Sequence, residues 1–152
     1  MAESTNSLVA LSDAAAHLVE RTARTIIAVH GGGRWPSSGI HWRSGVIVTA
    51  EEVLERDEDI KVTLPGGRVV AASLAGRDPS TDVAVLRFQP DGLTAAPTAD
   101  AASLRPGHVV LAIGNHEGAR LSLASASSPS RDRLGTVFAA EPSTVSSALI
   151  WR

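Results

Sequence analysis

The sequence contains no cysteine among its 152 residues. That absence excludes disulfide scaffolds, thiolate metal sites and cysteine nucleophiles together. Aromatic residues are also scarce, because there is no tyrosine and only three Trp and two Phe. Proteins that bind nucleic acid by stacking bases on aromatic side chains are therefore not expected. The core has to be built from Val, Leu, Ile and Ala.

An excess of charge of one sign is missing as well. The chain has 14 Lys and Arg against 16 Asp and Glu, for a net charge of -2. No strong field attracts nucleic acid or an anionic membrane, so neither is expected as a partner. The longest apolar stretches, such as residues 109–113, are far shorter than the roughly 20 residues that cross a bilayer. Residues 1–7 lack the basic start and apolar core of a signal peptide, and we expect a cytoplasmic location by default.

A helix is predicted over residues 7–24, because apolar residues recur there at helical spacing. Asn6 or Ser7 is expected to cap its start. Charged residues such as Asp13, Glu20 and Arg24 fall away from the apolar face. The residues on that face are Leu8, Leu11, Ala15, Leu18 and Val19.

Beyond residue 25 the apolar residues come in short β-branched runs, which predict six or seven short strands. The clearest hairpin joins residues 60–64 to 68–74 through Pro65, Gly66 and Gly67. Such regular spacing is typical of a small antiparallel barrel or sandwich, and closure removes exposed edges. Residues 122–147 show little periodicity and are predicted to be loop. The other predicted strands are at 26–29, at 38–50 with a turn at Ser44 and Gly45, at 82–88 and at 108–113.

Five segments occur in an order that resembles the HtrA, or DegP-like, class of trypsin-like serine proteases. One of them combines Gly76-Arg77-Asp78 with the run from Thr81 through Asp82 to Leu86, and this run is the most specific signal. Each segment alone is a weak signal, but five in the family's order and spacing are a strong one. The other four are Ser38-Gly39-Ile40 with Trp42 and Arg43, Gly45 to Thr49, Ile60 to Leu64 with Gly67 and Arg68, and Leu104 to Gly107 with Leu111 to Asn115.

The resemblance implies an all-β fold. The family has two six-stranded barrels with the active site in the cleft between them, and this chain has room for one. We therefore expect a small antiparallel six-stranded barrel of the trypsin-like type over residues 25–128. An N-terminal helical segment over residues 1–24 precedes it. Residues 129–152 are expected to be an irregular tail, a possible start of a second barrel.

The resemblance also identifies positions of the catalytic triad, in which an aspartate holds a histidine that carries the serine's proton. Asp82 lies at the aspartate position, in its usual Thr-Asp context. Glu52 lies at the histidine position, where the sequence reads Ala-Glu-Glu-Val-Leu. A free glutamate has a pKa of about 4.3 and is a weak base near neutrality, unlike an imidazole at about 6.5. Two carboxylates also repel each other.

The family's nucleophile motif, Gly-Asn-Ser-Gly-Gly, does not occur in these 152 residues. We therefore expect a catalytically incomplete domain, a pseudoprotease that binds protein or peptide or associates with itself through an exposed barrel face. One alternative is the N-terminal part of an active serine endopeptidase whose nucleophile lies on a second barrel. Another is a small barrel unrelated to proteases that binds a ligand or peptide.

Other chemistry-bearing residues have simpler interpretations. Glu51 and Glu52 begin an acidic stretch expected to be solvated, the alternative being a cation held by Glu52 and Asp82. Gly31, Gly32 and Gly33 lack the lysine of a phosphate loop and are expected to connect strands. No serine of 122–130 has a neighbouring base. No metal spacing links the five histidines, so no cofactor or metal is expected; they are His17, His30, His41, His108 and His116.

Overall fold

The structure is a computed structural model and describes residues 2–90, 92–99, 105, 108–115 and 121–127. One helix, α1, spans Ala2–Ala23. The predicted N-terminal helix is thus confirmed, but the predicted cap is wrong, because Asn6 and Ser7 lie inside the helix. The reason is local: residues 2–23 contain neither glycine nor proline, so nothing in the sequence breaks the helix before Ser7. No helix in the described ranges has the length and apolar character needed to cross a membrane.

The strands follow the predicted order closely. The Ser44–Gly45 turn separates β2 from β3, and the turn of Pro65, Gly66 and Gly67 lies between β4 and β5. Gly45, Gly66 and Gly67 all have positive φ, as such turns require. The strands are β1 (Ile26–His30), β2 (Ser37–Arg43), β3 (Val46–Thr49), β4 (Lys61–Thr63), β5 (Val69–Asp78), β6 (Val83–Phe88), β7 (Val109–Asn115) and β8 (Leu121–Ser127).

The first six strands form a closed barrel in the order β1-β2-β3-β6-β5-β4. Every pairing in it is antiparallel, so the predicted six-stranded antiparallel barrel is confirmed. The pairing of β3 with β6 determines how close Glu52 and Asp82 lie to each other. It places Thr49, the last residue of β3, opposite Ala84, and so brings the segment after β3 close to the segment before β6.

The barrel interior is filled by aliphatic side chains and one Phe, as the shortage of aromatics predicts. Gly39 of β2 faces this interior, where no space is left for a side chain. The buried cluster consists of Ile27, Val29, Ile47, Leu54, Ile60, Val62, Leu64, Ala84, Leu86 and Phe88. Leu54 belongs to this cluster although it lies outside the strands, which anchors the segment after β3 to the core.

The last two strands, β7 and β8, pair with each other as a two-stranded sheet. The prediction that residues 122–147 are loop is therefore wrong for 122–127, because small and apolar residues alternate there too weakly for a strand signal. Residues 128–152, including the predicted tail, lie outside the described residues. The described residues divide into two compact units, one made of those within 23–96 and 113–123 and one of those within 2–22, 97–112 and 124–127. The predicted domain boundaries at 24 and 128 stay a prediction.

Replacing Gly39 by alanine tests the packing of the barrel. The new Cβ would lie 2.8 Å from Cγ2 of Ile47 and 2.8 Å from Cγ2 of Val29, both stiff branched side chains. We expect Gly39→Ala to lower the free energy of unfolding by about 1–3 kcal/mol. Gly76→Ala on β5 is the matched control, since its Cβ meets no atom within 4 Å, and its effect should stay within about 0.5 kcal/mol. Equal effects in urea unfolding would contradict the interior position of Gly39.

Candidate functional site

The segment after β3 carries Glu52, the residue predicted at the histidine position. It is a single 3₁₀ turn, Glu51–Val53, held between two buried residues, Ala50 and Leu54. Glu52 itself is exposed. The burial of its flanking residues means that the backbone of position 52 is fixed by the core while its side chain is free to face solvent.

Asp82, the residue predicted at the aspartate position, binds this turn directly. One carboxylate oxygen, Oδ1, accepts a hydrogen bond of 3.0 Å from the backbone N–H of Glu52. The backbone carbonyl of Asp82 accepts a second bond, 3.2 Å, from the N–H of Glu51. Asp82 makes both bonds from a left-handed backbone conformation, with φ of 53°. That conformation is uncommon outside glycine, although Asp tolerates it better than most residues.

A compact hydrogen-bonded turn just before Asp82 holds the backbone that leads into that residue. The carboxylate of Asp78 accepts bonds from Ser80 N (2.9 Å), Ser80 Oγ (2.7 Å) and Thr81 Oγ1 (2.9 Å). These hydrogen bonds, the Ser80 hydroxyl first, hold the pKa of Asp78 below its ordinary value. Because the pKa is lower in the folded state, the ionised carboxylate stabilises the fold at pH values above its ordinary pKa. This stabilisation is lost as the pH falls through the lowered pKa. Because Asp78 is fully exposed, water weakens this effect.

Arg77 ties the segment after β3 to strand β5. Its Nη2 forms an ion pair of 2.5 Å with Glu51, while its Nη1 lies 2.8 Å from Asp57 and 3.3 Å from the carbonyl of Leu54. Glu51 is consequently only 13% exposed at its side chain. The expectation of a solvated Glu51 is wrong, because a cation 26 positions later in the chain reaches it. No local pattern in the sequence signals such a pair.

The three glycines between β1 and β2 pack against the same segment. The carbonyl of Gly31 accepts a bond of 2.9 Å from the N–H of Glu55, and Gly32 forms an isolated β-bridge with Leu54. A Cβ on Gly31 would collide with the carbonyl oxygen of Val53. The glycines therefore connect strands, as expected, and they also permit the close backbone approach that confines the turn carrying Glu52.

The other candidate residues of the sequence do not join this site. Among the described residues no group of three or more His, Cys, Asp and Glu is arranged to hold a metal ion. His30 bonds Thr63 across β1 and β4 (2.8 Å), and His41 is wholly buried on β2. His17 pairs with Glu20 on the exposed surface of α1, and His108 directly precedes β7. His116, and serines 128 and 130, lie outside the described residues.

The geometry brings together the two residues predicted for the site, but through a backbone bond. Asp82 presents a carboxylate to the amide of residue 52, next to the place where that residue's side chain begins. With a glutamate at 52, the site offers two carboxylates and no imidazole. The arrangement can position a side chain against an aspartate; it contains no group suited to carry a proton near neutrality.

A family model described as a trypsin-like peptidase domain matches residues 37–148 of the chain. The serine endoprotease DegS of Haemophilus influenzae is 40% identical over 73 residues, covering 48% of this chain and 22% of DegS. The periplasmic serine endoprotease DegP of Escherichia coli K12 is 41% identical over 75 residues, covering 49% of this chain and 16% of DegP. The resemblance to the HtrA class is confirmed.

A solved serine endoprotease from Yersinia pestis has a similar fold, with a TM-score of 0.68 and 27% sequence identity. The match covers 86% of this chain and 50% of the Yersinia chain. The trypsin-like type of the barrel is thereby confirmed. The match spans about half the length of that solved chain and less than a quarter of the two curated relatives. The cytoplasmic location stays a prediction.

Replacing Glu52 by histidine tests the assignment of positions 52 and 82 without any catalytic readout. We expect the pKa of the new imidazole to be raised above its ordinary value, because the Asp82 carboxylate, bonded to the backbone amide of the same residue, favours the charged form of the ring. The measurement is an NMR titration of the Glu52→His imidazole. The matched control is the double variant Glu52→His, Asp82→Asn. The asparagine keeps an oxygen that can accept from the backbone N–H of residue 52, but it removes the negative charge. Identical midpoints in the two variants would contradict the assignment.

Proposed function

The chain belongs to the trypsin-like peptidase domain family and is of the HtrA type, and we propose that it is a pseudoprotease within this family. It is a catalytically incomplete domain that binds protein or peptide or assembles with itself, and it does not cleave peptide bonds. The observation that supports the proposal is the hydrogen bond from the Glu52 amide to the Asp82 carboxylate, which joins the two positions that the family resemblance assigns to the histidine and the aspartate. Proton-transfer chemistry, chain position and local geometry each support it.

Proton transfer is the function that Glu52 cannot perform. In a serine protease an imidazole takes the serine's proton and returns it to the leaving amine, so it has to exist in both forms near neutral pH. A carboxylate has no N–H for an aspartate to accept and no second ring nitrogen, so it cannot be oriented by Asp82 as an imidazole is. It also places a second negative charge near Asp82, whose role in the triad is to orient and stabilise a cationic ring. Glu52 therefore fits neither half of the histidine's work.

Residue 52 lies in the interior of the chain. The deficit at this position is independent of any residue before Met1 or after Arg152. Loss of the histidine alone costs on the order of a million-fold in kcat in a well-studied serine protease. A glutamate at this position therefore favours a role other than cleavage.

Several contacts hold the backbone around position 52. Arg77, Gly31 and Asp82 each hold the turn or the residues next to it by at least one hydrogen bond or ion pair. These contacts use the backbone of residues 31, 51, 52 and 55 and the side chain of Glu51, and none of them uses the side chain of Glu52. The arrangement is therefore compatible with a domain in which this turn is a structural element and residue 52 carries no proton.

Peptide cleavage is the direct test of the proposal. We expect neither the wild-type chain nor Glu52→His to hydrolyse casein or a fluorogenic peptide above the buffer control, because histidine at 52 does not supply the nucleophile. Glu52→Gln is the matched control for altered charge at the site. Hydrolysis by the wild type that a serine-directed covalent inhibitor stops would overturn the proposal.

The relatives favour one other candidate, since DegS and DegP are both named serine endoproteases and the match covers 22% and 16% of their lengths. In this second proposal the chain is the N-terminal part of an active endopeptidase whose nucleophile lies on a second barrel. Another histidine would then have to replace Glu52, and the next one along the chain is His108. Hydrolysis by a longer form of the protein that survives Glu52→Gln and disappears in His108→Gln would support this candidate.

Exposed apolar side chains in the described ranges support the binding half of the proposal. On α1, Leu8 is 69% exposed and Val9 and Leu11 are close to half exposed. In the barrel unit, Trp35 between β1 and β2 is 59% exposed and Val69 at the start of β5 is 57% exposed. Large apolar side chains at the surface mark interaction sites when they cluster, and tryptophan is frequent at the energetic centre of interfaces. We take a second copy of the chain as the partner.

Self-association has its own test in analytical ultracentrifugation. We expect the average mass to rise with protein concentration over the micromolar range. Val69→Lys, which places a charge on the barrel face, should shift that rise to higher concentration, while the conservative Val69→Thr should shift it less. Leu8→Lys gives the corresponding comparison for the helix. A monomer mass that does not depend on concentration would contradict self-association.

A further inference from the structure

His41 of β2 is a buried titratable side chain that the site at positions 52 and 82 does not use. It is 0% exposed and lies at the edge of the barrel core, with its ring edge-on to Phe88 at a centroid distance of 5.3 Å. It pairs in regular register with Ile47 of β3 and lies two positions after Gly39, so strand alternation turns it toward the same interior. The register of β2 shifts only after His41, between His41 and Arg43.

His41 holds the residues that follow β6. We call Leu93–Ala96 the closing segment, because Leu93 packs against the barrel core and Ala96 is buried. The imidazole Nδ1 donates a hydrogen bond of 3.0 Å to the carbonyl of Thr94. The carbonyl of His41 accepts a bond of 2.7 Å from the N–H of Ala96. One residue of β2 thus binds the closing segment at two points, once through its side chain.

The bond to Thr94 determines which form of the ring fits. A carbonyl only accepts, so Nδ1 carries a proton, and in the neutral ring Nε2 is a bare acceptor. Nε2 of His41 is buried and has no hydrogen-bond partner in the described structure. A second proton would turn Nε2 into a charged donor with nothing to receive it. An unpaired buried charge costs far more than an unpaired neutral acceptor.

No described carboxylate lies on the neighbouring strands to offset that charge. β3 and the closing segment contain no titratable residue, and the charged residues nearest in sequence on β2 and β6, Arg43 and Arg87, are exposed cations. Ile26, at the start of β1, pairs with Ile40, the residue before His41. His30 lies at the opposite end of β1, and its Nε2 already bonds Thr63. Asp91, just before the closing segment in the sequence, lies outside the described residues.

We propose that His41 is an acid-sensitive latch, in which uptake of a proton by the ring releases the closing segment from the barrel. The released ring reaches water, the bond from Nδ1 to Thr94 breaks, and the apolar surface beneath Leu93 becomes accessible. The open form binds one more proton than the closed form, so acidification favours opening and neutral pH favours closure. This inference does not depend on whether the domain cleaves peptides.

Amide hydrogen exchange on the wild-type chain at pH 7.5 and pH 5.0 tests the latch. The probe is the amide of Ala96, and the references are the amides of Leu64 and Glu55, which bond the carbonyls of Arg68 and Gly31 inside the barrel unit. After correction for intrinsic rates, we expect the protection of Ala96 to fall about tenfold or more between the two pH values, because the open form binds one more proton than the closed form. The references should change less than about twofold.

Two variants identify the titrating group. His41→Gln keeps a side-chain donor for Thr94 but cannot take up a proton, so the pH dependence of Ala96 should disappear. Asp91→Asn, as well as His30→Gln, should leave it intact. The latch is overturned if Ala96 protection is equal at both pH values, if Leu64 and Glu55 fall to the same extent, or if Asp91→Asn removes the effect. If His41→Gln does not fold, the wild-type comparison and the Asp91→Asn variant still decide between these results.

Discussion

The hydrogen bond from the Glu52 amide to the Asp82 carboxylate is the contact on which the organisation of the site depends. It joins the segment after β3 to the segment before β6, where the pairing of those strands already brings the two backbones together. The bond uses the backbone of residue 52, so it is indifferent to which side chain that residue carries. Asp82 therefore has a structural role in holding this turn, whatever side chain residue 52 carries.

The packing of the barrel does not depend on the side chain at position 52. The core consists of aliphatic residues and Phe88 on the inner face of the barrel together with Leu54, and the side chain of Glu52 is not part of it. A different side chain at this exposed position would therefore disturb no packing. The left-handed conformation at Asp82 costs of order 1–3 kcal/mol for a non-glycine residue, and the hydrogen bonds around it offset that cost, whatever stands at 52. The fold at this site rests on backbone and core atoms, and the side chain of residue 52 has no part in it.

The barrel could be predicted from the sequence because its determinants are local. The hairpin through Pro65, Gly66 and Gly67 and the short β-branched runs specify strands and turns within a few residues of each other. The predicted start of α1 is too late, since polar residues before Ser7 extend a helix as readily as they cap it. Strand β8 escapes prediction, because Leu121–Ser127 is rich in Ser and Ala and carries a weak period-2 signal.

The contacts that organise the site are less predictable than the site residues. The resemblance to a protease family locates Asp82 and Glu52 by position, but the ion pair of Arg77 with Glu51 joins residues far apart in the chain and leaves no pattern to detect. The contact of His41 with Thr94 depends in the same way on a segment more than 50 residues later in the chain. Family resemblance assigns roles to positions 52 and 82, and it does not determine their surroundings. The contacts that hold those positions are made across the closed barrel, between residues distant in the sequence, and for that reason a reading of the sequence alone does not find them.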